Sequence, residues 1–429
     1  MSVNKSMNTG ISGLKAQEQA LGVVSDNIAN VNTVGFKASR ALFEDVLGST
    51  SNTEAGSGAR LTRIQQIFTQ GSLQNTGVTT DLALSGDGFF VVRGTVDGQE
   101  GQFYSRAGQF NFREGNLVNA DGLRVQGYAA APDGGFVTTL SDIEVTASAL
   151  SPNPTAGIEL TANLDANATA PAAPFDIADP GGTSNFSTSI TVFDAQGNAQ
   201  TLDVYFVKTA NPNEWDVRIV GESDAVSAPA PATPGDPLVE LASGTVTFDG
   251  EGRLQTATPL TANVTFGNAT PQSIELDLGD PTATGGTGQL GVTQYGAPSS
   301  VASQSQDGFA SGDLVGVDIA ADGTVSGLYS NGESLALAQL AVAKFQSNDG
   351  LARRGSNVWA ESRDSGAPAI GPAGAGGRAA VVSGAVEQST VDLTSQFVDM
   401  ITYQRAFSAN ARTITTADEM LTEVVNLKR

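Results

Sequence analysis

The side chains that could carry out chemistry in this sequence are mainly carboxylates, because the chain contains no cysteine and no histidine. Thiol nucleophiles, imidazole bases, Ser-His-Asp triads and the usual structural zinc sites are therefore excluded. The chain has 45 Asp and Glu residues, so a carboxylate pair suited to glycoside cleavage is easy to find by chance. We predict that the protein is not an enzyme, with no catalytic residues, no metal site and no cofactor.

Three short motifs imitate ligand-binding loops. The segment GPAGAGGRAA at 371–380 has the glycines of a phosphate loop but lacks its GK[ST] ending and its strand–helix frame. The segments DAQGNAQ at 194–200 and DGEGR at 249–253 lack the full ligand spacing and closing Glu of a calcium loop. Asp, Asn and Gly favour tight turns, so we interpret all three segments as loops, and the last two as hairpin turns.

The charge of the chain narrows the choice of partners. Its 22 basic and 45 acidic residues give a net charge of −23. The acid is concentrated in residues 141–300, which hold 19 Asp and Glu but only three Lys and Arg. Such a surface repels phosphate and anionic lipid, which argues against nucleic-acid and membrane-surface binding.

The chain has no apolar run near the roughly 20 residues of a membrane span. Its first residues, MSVNKSMNTG, lack the apolar stretch of a secretory signal. We predict no membrane insertion and, if the protein leaves the cell, export without a cleaved signal peptide.

Both ends of the chain carry an apolar stripe at alternating steps of four and three, which is the spacing of a coiled-coil helix. The position at Gln17/Glu18 is missing from the first stripe, and Gln404 and Asp418 interrupt the second. We predict that these helices pair with each other and with neighbouring subunits, because isolated amphipathic helices are weak. The first stripe consists of Met7, Ile11, Leu14, Leu21, Val24, Ile28 and Val31. The second consists of Leu393, Phe397, Met400, Phe407, Ala411, Ile414, Leu421 and Val425.

Between the helices, short alternating apolar runs with Gly, Asn and Asp turns predict antiparallel strands. We predict an α+β multidomain fold, with paired terminal coiled-coil-like helices and two mainly antiparallel β domains. The predicted boundaries are 1–35 and 385–429 for the helical domain, 36–80 for an extended connector, 81–146 and 289–384 for an inner β domain, and 147–288 for an outer β domain inserted into it.

Three ordered segments resemble the flagellar rod and hook protein family. The first is SDNIANVNTVGFKASRALFEDVL at 25–47. The second combines LSGDGFFVV at 84–92 with residues 104–128, and the third is residues 383–427. SITVFDAQGNAQTLDVYF at 189–206 and GTVTFDGEGRLQT at 244–256 resemble the middle domain of the hook members. The first match is carried by Asn27, Ala29, Asn30, Asn32, Gly35 and Phe36.

The resemblance implies a structural subunit of the flagellar hook, which self-assembles into a flexible tube that links rod to filament and transmits torque. It implies an extracellular location and several partners: other copies of the chain, the hook cap, the distal rod, the hook–filament junction proteins and the flagellar type III export apparatus. Phe43 and Leu47 have the Phe-x-x-x-apolar spacing that resembles an export-gate motif, although packing of the connector explains them equally well.

Two alternatives stay open from the sequence. One is a distal rod protein of the same family, which resembles this chain at both ends but lacks a large middle insert. The other is a secreted β-rich adhesin or glycan-active protein, which would need aromatic side chains or paired carboxylates in a concave site. Only Trp215 and Trp359 are available for sugar stacking, and this second alternative leaves both terminal helices unexplained.

Overall fold

The protein has an α+β, multidomain fold that is mostly β-strand. The computed structural model describes residues 3–46, 56–131, 134–145, 149–231 and 235–426. These ranges contain the helices α1 (Val3–Ala29), α2 (Pro180–Thr183) and α3 (Leu393–Asn426), with 3₁₀ turns at Thr282–Thr284 and Asn348–Gly350.

The ends of the two long helices are capped by side chains that the sequence supplies. The Asp392 carboxylate accepts hydrogen bonds from the backbone N–H groups of Thr394 and Ser395, at 2.8 and 3.3 Å, which is the N-cap arrangement. At the end of α1, the Asp26 carbonyl accepts from the Asn30 backbone N–H at 3.1 Å and from the Asn30 side-chain amide at 2.8 Å.

The chain folds into two compact units, of which the first holds both long helices. Its main sheet is antiparallel and runs in the order Thr324–Tyr329, Ser334–Lys344, Arg124–Ala130, Phe89–Val96, Gln99–Ser105, Val358–Ala360 and Ala352–Arg353. The other strands of this unit are Ser39–Asp45, Ala59–Gln66, Leu73–Asn75, Leu82–Ser85, Phe110–Arg113, Asn116–Asn119, Phe136–Asp142, Ala369–Pro372, Ala380–Ser383 and Ala385–Glu387.

Both faces of the central strand Phe89–Val96 are covered, which explains its continuous apolar run. Because side chains alternate across a strand, Phe90 and Val92 enter one core cluster while Phe89 and Val91 enter another. The second cluster also contains Trp359, so this tryptophan is a core residue rather than a sugar platform.

The second unit is a β-sandwich with one shared core. One sheet runs in the order Phe186–Phe193, Ala199–Lys208, Glu214–Glu222, Leu238–Phe248 and Leu254–Ala257. The other runs in the order Val226–Ala228, Leu260–Phe266, Gln272–Asp277, Gly157–Asp165 and Thr293–Tyr295, with Ser300–Gln306 also pairing with Gly157–Asp165. Trp215 is buried in this core. The unit also contains Ala149–Leu150, and Gly312–Ile319 leads from it back into the first unit.

Three predicted boundaries differ from the structure. The outer domain does not end at 288, because Thr293–Tyr295 and Ser300–Gln306 complete its second sheet and the unit continues to Val315. The connector at 36–80 is not simply extended, since Ser39–Asp45 and Ala59–Gln66 pair as antiparallel strands, here called the connector hairpin. The C-terminal helical segment begins at 393 rather than 385, because Ala385–Glu387 is a strand paired with Leu73–Asn75.

Candidate assembly site

The helices α1 and α3 pack against each other in antiparallel orientation. Near the start of α1, a Cβ atom on Gly10 would lie 2.9 Å from Cγ1 of Ile414, and one on Gly13 would lie 2.6 Å from Nδ2 of Asn410. Near its end, the side chain of Asn27 is bonded to that of Gln396. The two glycines therefore allow a close approach of the helices that a larger residue would block.

The predicted stripe of α1 is only partly the buried face of this helix. Val24 is buried and Met7, Leu14, Leu21 and Ile28 are half-buried, whereas Ile11 is exposed. The most deeply buried positions are Ala16, Ala20, Val23, Val24 and Asn27. The difference arises because α1 has two neighbours, α3 and the connector hairpin, and small or polar residues fit the second contact.

The predicted stripe of α3 divides between two environments. Met400, Ile414 and Leu421 are half-buried on the side that faces α1. Leu393 and Phe407 are exposed, as are other large apolar residues of the same helix. We call the exposed set the open face of α3, and it consists of Leu393, Phe397, Val398, Ile401, Phe407 and Met420.

The open face is unusual for its size and its apolar character. Phe397 is 50% exposed, Val398 59% and Ile401 50%. Residues at spacings of three and four lie on one side of a helix, so Leu393, Phe397, Val398 and Ile401 form one continuous strip. A contiguous apolar patch on a protein surface is characteristic of a site of protein association.

Asn27 joins three elements through one buried side chain. Its amide Nδ2 donates to the Ser39 carbonyl at 2.7 Å and to Gln396 Oε1 at 2.8 Å. Its Oδ1 accepts from the Ser39 backbone N–H at 2.9 Å. The side chain is 0% exposed, so α1, the connector hairpin and α3 meet at a fully bonded polar group.

Of the other residues of the predicted family motif, Ala29 ends α1 and the rest follow it in the chain. Gly35 adopts φ +71°, and a Cβ there would lie 2.5 Å from the backbone nitrogen of Ala107. Phe36 is buried beneath the guanidinium of Arg353, 5.9 Å from the ring centre. Asn32 is exposed. Glycine at 35 is therefore required by both backbone conformation and space.

A buried charge cluster ties the two terminal segments to the first unit, and the sequence analysis missed it. Lys37 Nζ lies 2.6 Å from Glu387 Oε1, and Arg106 Nη1 lies 3.2 Å from Glu387 Oε2. Lys37 is 1% exposed and Glu387 is 0% exposed. The same two side chains also bond to the backbone. Lys37 Nζ donates to the Thr69 carbonyl, and Glu387 Oε1 accepts from the Gly71 N–H, both at 2.7 Å.

Burial shifts the titration of both cations in this cluster. Desolvation lowers the pKa of Lys37, and the nearby Glu387 carboxylate opposes that shift. Desolvation likewise lowers the pKa of Arg106. The apolar pair Ala385 and Val386 directly before Glu387 is the sequence signal that could have indicated a buried acid there.

Phe43 lies in the connector hairpin and is partly exposed. Its ring meets that of Tyr403 of α3 edge-on, with the ring centres 6.3 Å apart. Leu47, the other member of the possible export motif, lies outside the described residues. Val31 belongs to the turn after α1 rather than to the helix, and the side chain of Val425 also lies outside the described part of α3.

The two acidic segments that imitate calcium loops are hairpin turns, as predicted. DAQGN joins Phe186–Phe193 to Ala199–Lys208, and Asp194 accepts from the backbone of Gln196 and Asn198. Asp249 accepts from the backbone of Glu251 and Arg253 in the same way. Within the described ranges, no three His, Cys, Asp or Glu side chains are placed to share a metal ion. None of the helices there combines the length and apolarity needed to cross a membrane.

Four family models match consecutive parts of the chain. They are the flagella basal body rod protein at residues 7–37, the flagellar hook protein FlgE/F/G D1 domain at 83–157, the flagellar basal body protein FlaE D2 domain at 163–309, and the flagellar basal body rod FlgEFG protein C-terminal at 382–427. The first and last models cover most of α1 and all of α3.

Whole proteins match as well. The chain is 36% identical to the flagellar hook protein FlgE of Salmonella typhimurium over 99% of this chain and 100% of that protein. It is 37% identical to the flagellar hook protein FlgE of Escherichia coli over 97% of this chain and 98% of that protein. The crystal structure of Helicobacter pylori flagellar hook protein FlgE2 aligns with a TM-score of 0.51 at 15% identity, covering 72% of this chain and 98% of that one.

Proposed function

The chain belongs to the flagellar hook protein family and is a structural subunit of the hook, and we propose that its terminal helices form the layer through which the subunits bind one another. Hook subunits self-assemble into a flexible tube that links rod to filament and transmits torque for motility. Similarity along the full chain favours this function over the distal rod and adhesin alternatives.

In the proposed layer, α1 and α3 act as an antiparallel, coiled-coil-like pair. The alternating four-and-three spacing of both stripes supports this pairing, as do the close contacts of Gly10 with Ile414 and of Gly13 with Asn410. The connector hairpin supports α1 from another side, because Ser12 Oγ accepts from the Ala59 backbone N–H at 3.3 Å. The pair is thereby held to the first unit of its own chain.

The open face of α3 is the observation that carries the proposal. Packing against α1 leaves Phe397, Val398 and Ile401 at least half exposed. Burying an apolar side chain of this size contributes about 1.5–3 kcal/mol, so leaving the strip in water is unfavourable. In the tube, we propose, this strip packs against the helices of neighbouring copies.

The second unit would face the outside of the tube. Its part of the sequence holds most of the chain's excess acid, and exposed like charges on adjacent subunits repel over about 10 Å at 0.1 M salt. Such a surface suits contact with water and limits how closely neighbours approach on the inner side of a bend.

The remaining partners follow from the place of a hook subunit between other flagellar proteins. We propose contacts with the hook cap, the distal rod and the hook–filament junction proteins, made through the same terminal helices. Export by the flagellar type III apparatus would place the subunit in the extracellular hook.

The experiment places a charge on the open face. Val398→Asp with Ile401→Asp should leave secretion normal but abolish tube formation, because a carboxylate in an apolar contact is strongly unfavourable. Thr138→Asp is the control, since Thr138 is exposed in strand Phe136–Asp142 of the same unit and does not lie on α3. Tubes seen by electron microscopy in the control but not in the double variant support the proposal. Normal tubes from the double variant would refute it.

A further inference from the structure

Asn27 is a fully buried polar residue at the contact between α1 and α3. Its two N–H groups donate to the Ser39 carbonyl and to Gln396 Oε1, and its Oδ1 accepts from the Ser39 N–H. Gln396 belongs to the first turn of α3 and Ser39 begins the connector hairpin. These three hydrogen bonds form together only when α1, α3 and the connector hairpin are in one relative alignment.

The contacts along the helix pair define that alignment. Gly10 lies against Ile414, Gly13 against Asn410 and Asn27 against Gln396, so the numbers of facing residues add to a nearly constant value. Sliding α3 by one heptad would displace it by about 10.5 Å along α1. Ile414 would then leave Gly10, and Gln396 would leave Asn27.

The apolar stripes alone do not choose between these alignments. A spacing of four and three repeats every seven residues, so a slide of one heptad again places most of the apolar residues opposite apolar residues. A single buried polar residue at a helix contact resolves such ambiguity, because every other register leaves its hydrogen bonds unmade.

We propose that Asn27, through Gln396 and Ser39, selects the axial register of the α1–α3 pair and thereby fixes where each subunit presents the open face of α3. Asn27 is a positioning residue of the assembly site. This inference rests on the proposed function, since it requires the helix pair to exist in the assembled hook.

The absence of cysteine from the chain makes disulfide trapping a clean test. Gly10→Cys with Ile414→Cys reports the observed register, because the glycine Cβ position lies within bonding range of the Ile414 side chain. Gln17→Cys with Ile414→Cys reports a slide of one heptad, and in the observed register these two residues are too far apart to bridge. Both pairs share the Ile414→Cys change, so they are matched.

Assembled hooks carrying each pair are oxidised, dissociated and run on a denaturing gel, which separates bridges within a chain from bridges between chains. With Asn27 present, only the first pair should bridge. With Asn27→Leu, the bridge of the second pair should rise roughly tenfold, which is the order expected for the loss of the one hydrogen bond that joins the two helices. Gln396→Leu removes only the bond between the helices, keeps the Ser39 bonds, and should act in the same direction.

The outcomes separate this inference from the proposed function. If the first pair fails to bridge when Asn27 is present, the helix pair itself is absent from the hook and the proposed function fails. If the first pair forms its disulfide and the second pair forms none in either leucine variant, the register is set without Asn27 and the inference is wrong. If neither leucine variant assembles, Asn27 and Gln396 stabilise the subunit rather than select its register, and the inference is overturned.

Discussion

Glu387 is the side chain whose loss we expect to cost the most stability. It is fully buried and is the acid that Lys37 and Arg106 share. Removing it leaves two buried cations without their counter-charge, whereas removing Lys37 leaves the Arg106–Glu387 pair intact. The cluster therefore holds the ends of both terminal segments to the first unit through one carboxylate.

We predict that Glu387→Gln destabilises the first unit by about 3–5 kcal/mol, the usual loss when one partner of a buried ion pair is removed. Lys37→Met is the control and should cost clearly less. Urea unfolding followed by the fluorescence of Trp359 measures the loss in free energy of unfolding. A Trp215→Phe background removes the tryptophan signal of the second unit. Equal losses for the two variants would show that Glu387 does not have this central role.

Which residues are structurally constrained was easier to predict from the sequence than which residues contact one another. The sequence marked Asn27 and Gly35 as motif positions, and both prove to be structurally constrained. It gave no indication that Asn27 binds Gln396, because 369 positions separate them along the chain. The charge cluster was missed for the same reason, since its members are brought together only by the folded sheet.

At the scale of elements, α3 is the helix that leaves the most apolar surface without a packing partner in a single subunit. Helices of this kind are marginal in water without a partner, and the open face gives α3 an unpaired apolar side. The connector hairpin contacts α1 but leaves much of α3 exposed. Order in the helix pair should therefore depend on assembly.

Protease treatment of the monomer should trim the chain at both ends and leave a β core, because helices without neighbouring copies open readily. Mass spectrometry of the resistant fragment would locate the cuts, which we expect before Val31 and after Val391. Intact hooks under the same conditions provide the comparison. Resistance of residues 7–31 in the monomer equal to that of the β core would contradict this prediction.

The Phe43 prediction distinguishes export from packing. Phe43→Ala with Leu47→Ala should reduce secretion while the cytoplasmic level stays normal. Tyr403→Ala removes the ring that Phe43 contacts and should leave secretion unchanged. Normal secretion of the Phe43 and Leu47 variant, with tubes lost, would instead assign Phe43 to packing between the connector hairpin and α3.

Helix positions were predicted well and helix faces less well. Apart from Val31, both stripes fall on the helices α1 and α3. The most buried residues of α1 include Ala16 and Ala20, which the stripe omits. An apolar spacing shows that a helix has a partner, but it does not reveal that α1 has a second one in the connector hairpin.

In the whole molecule, the second unit behaves as an insertion into the first. The strands Ala149–Leu150 and Gly312–Ile319 pair in antiparallel fashion, with Ala149 opposite Asp313. The entry and exit of the unit therefore lie side by side, as in insertions that tolerate replacement. The sequence found this unit but ended it at 288, because the short strands after that point carry weak apolar patterns and join the sheet only by pairing with Gly157–Asp165.

Replacing residues 151–311 by a short Gly/Ser linker should still permit secretion and tube formation, because the proposed contacts lie on the helices. Loss of the acidic unit should alter the curvature or bending stiffness of the hook. Electron microscopy of hooks from such a strain, beside a swimming assay, measures both effects. A secreted variant that forms no tubes would show that the second unit carries essential assembly contacts.

Image reconstruction of the assembled hook, at a resolution that shows side chains, tests the central claim most directly. We predict that α1 and α3 pair within each subunit and that Phe397, Val398 and Ile401 are buried against the helices of neighbouring copies. A reconstruction in which these three side chains face water, with the subunits joined through their β domains alone, would contradict the account.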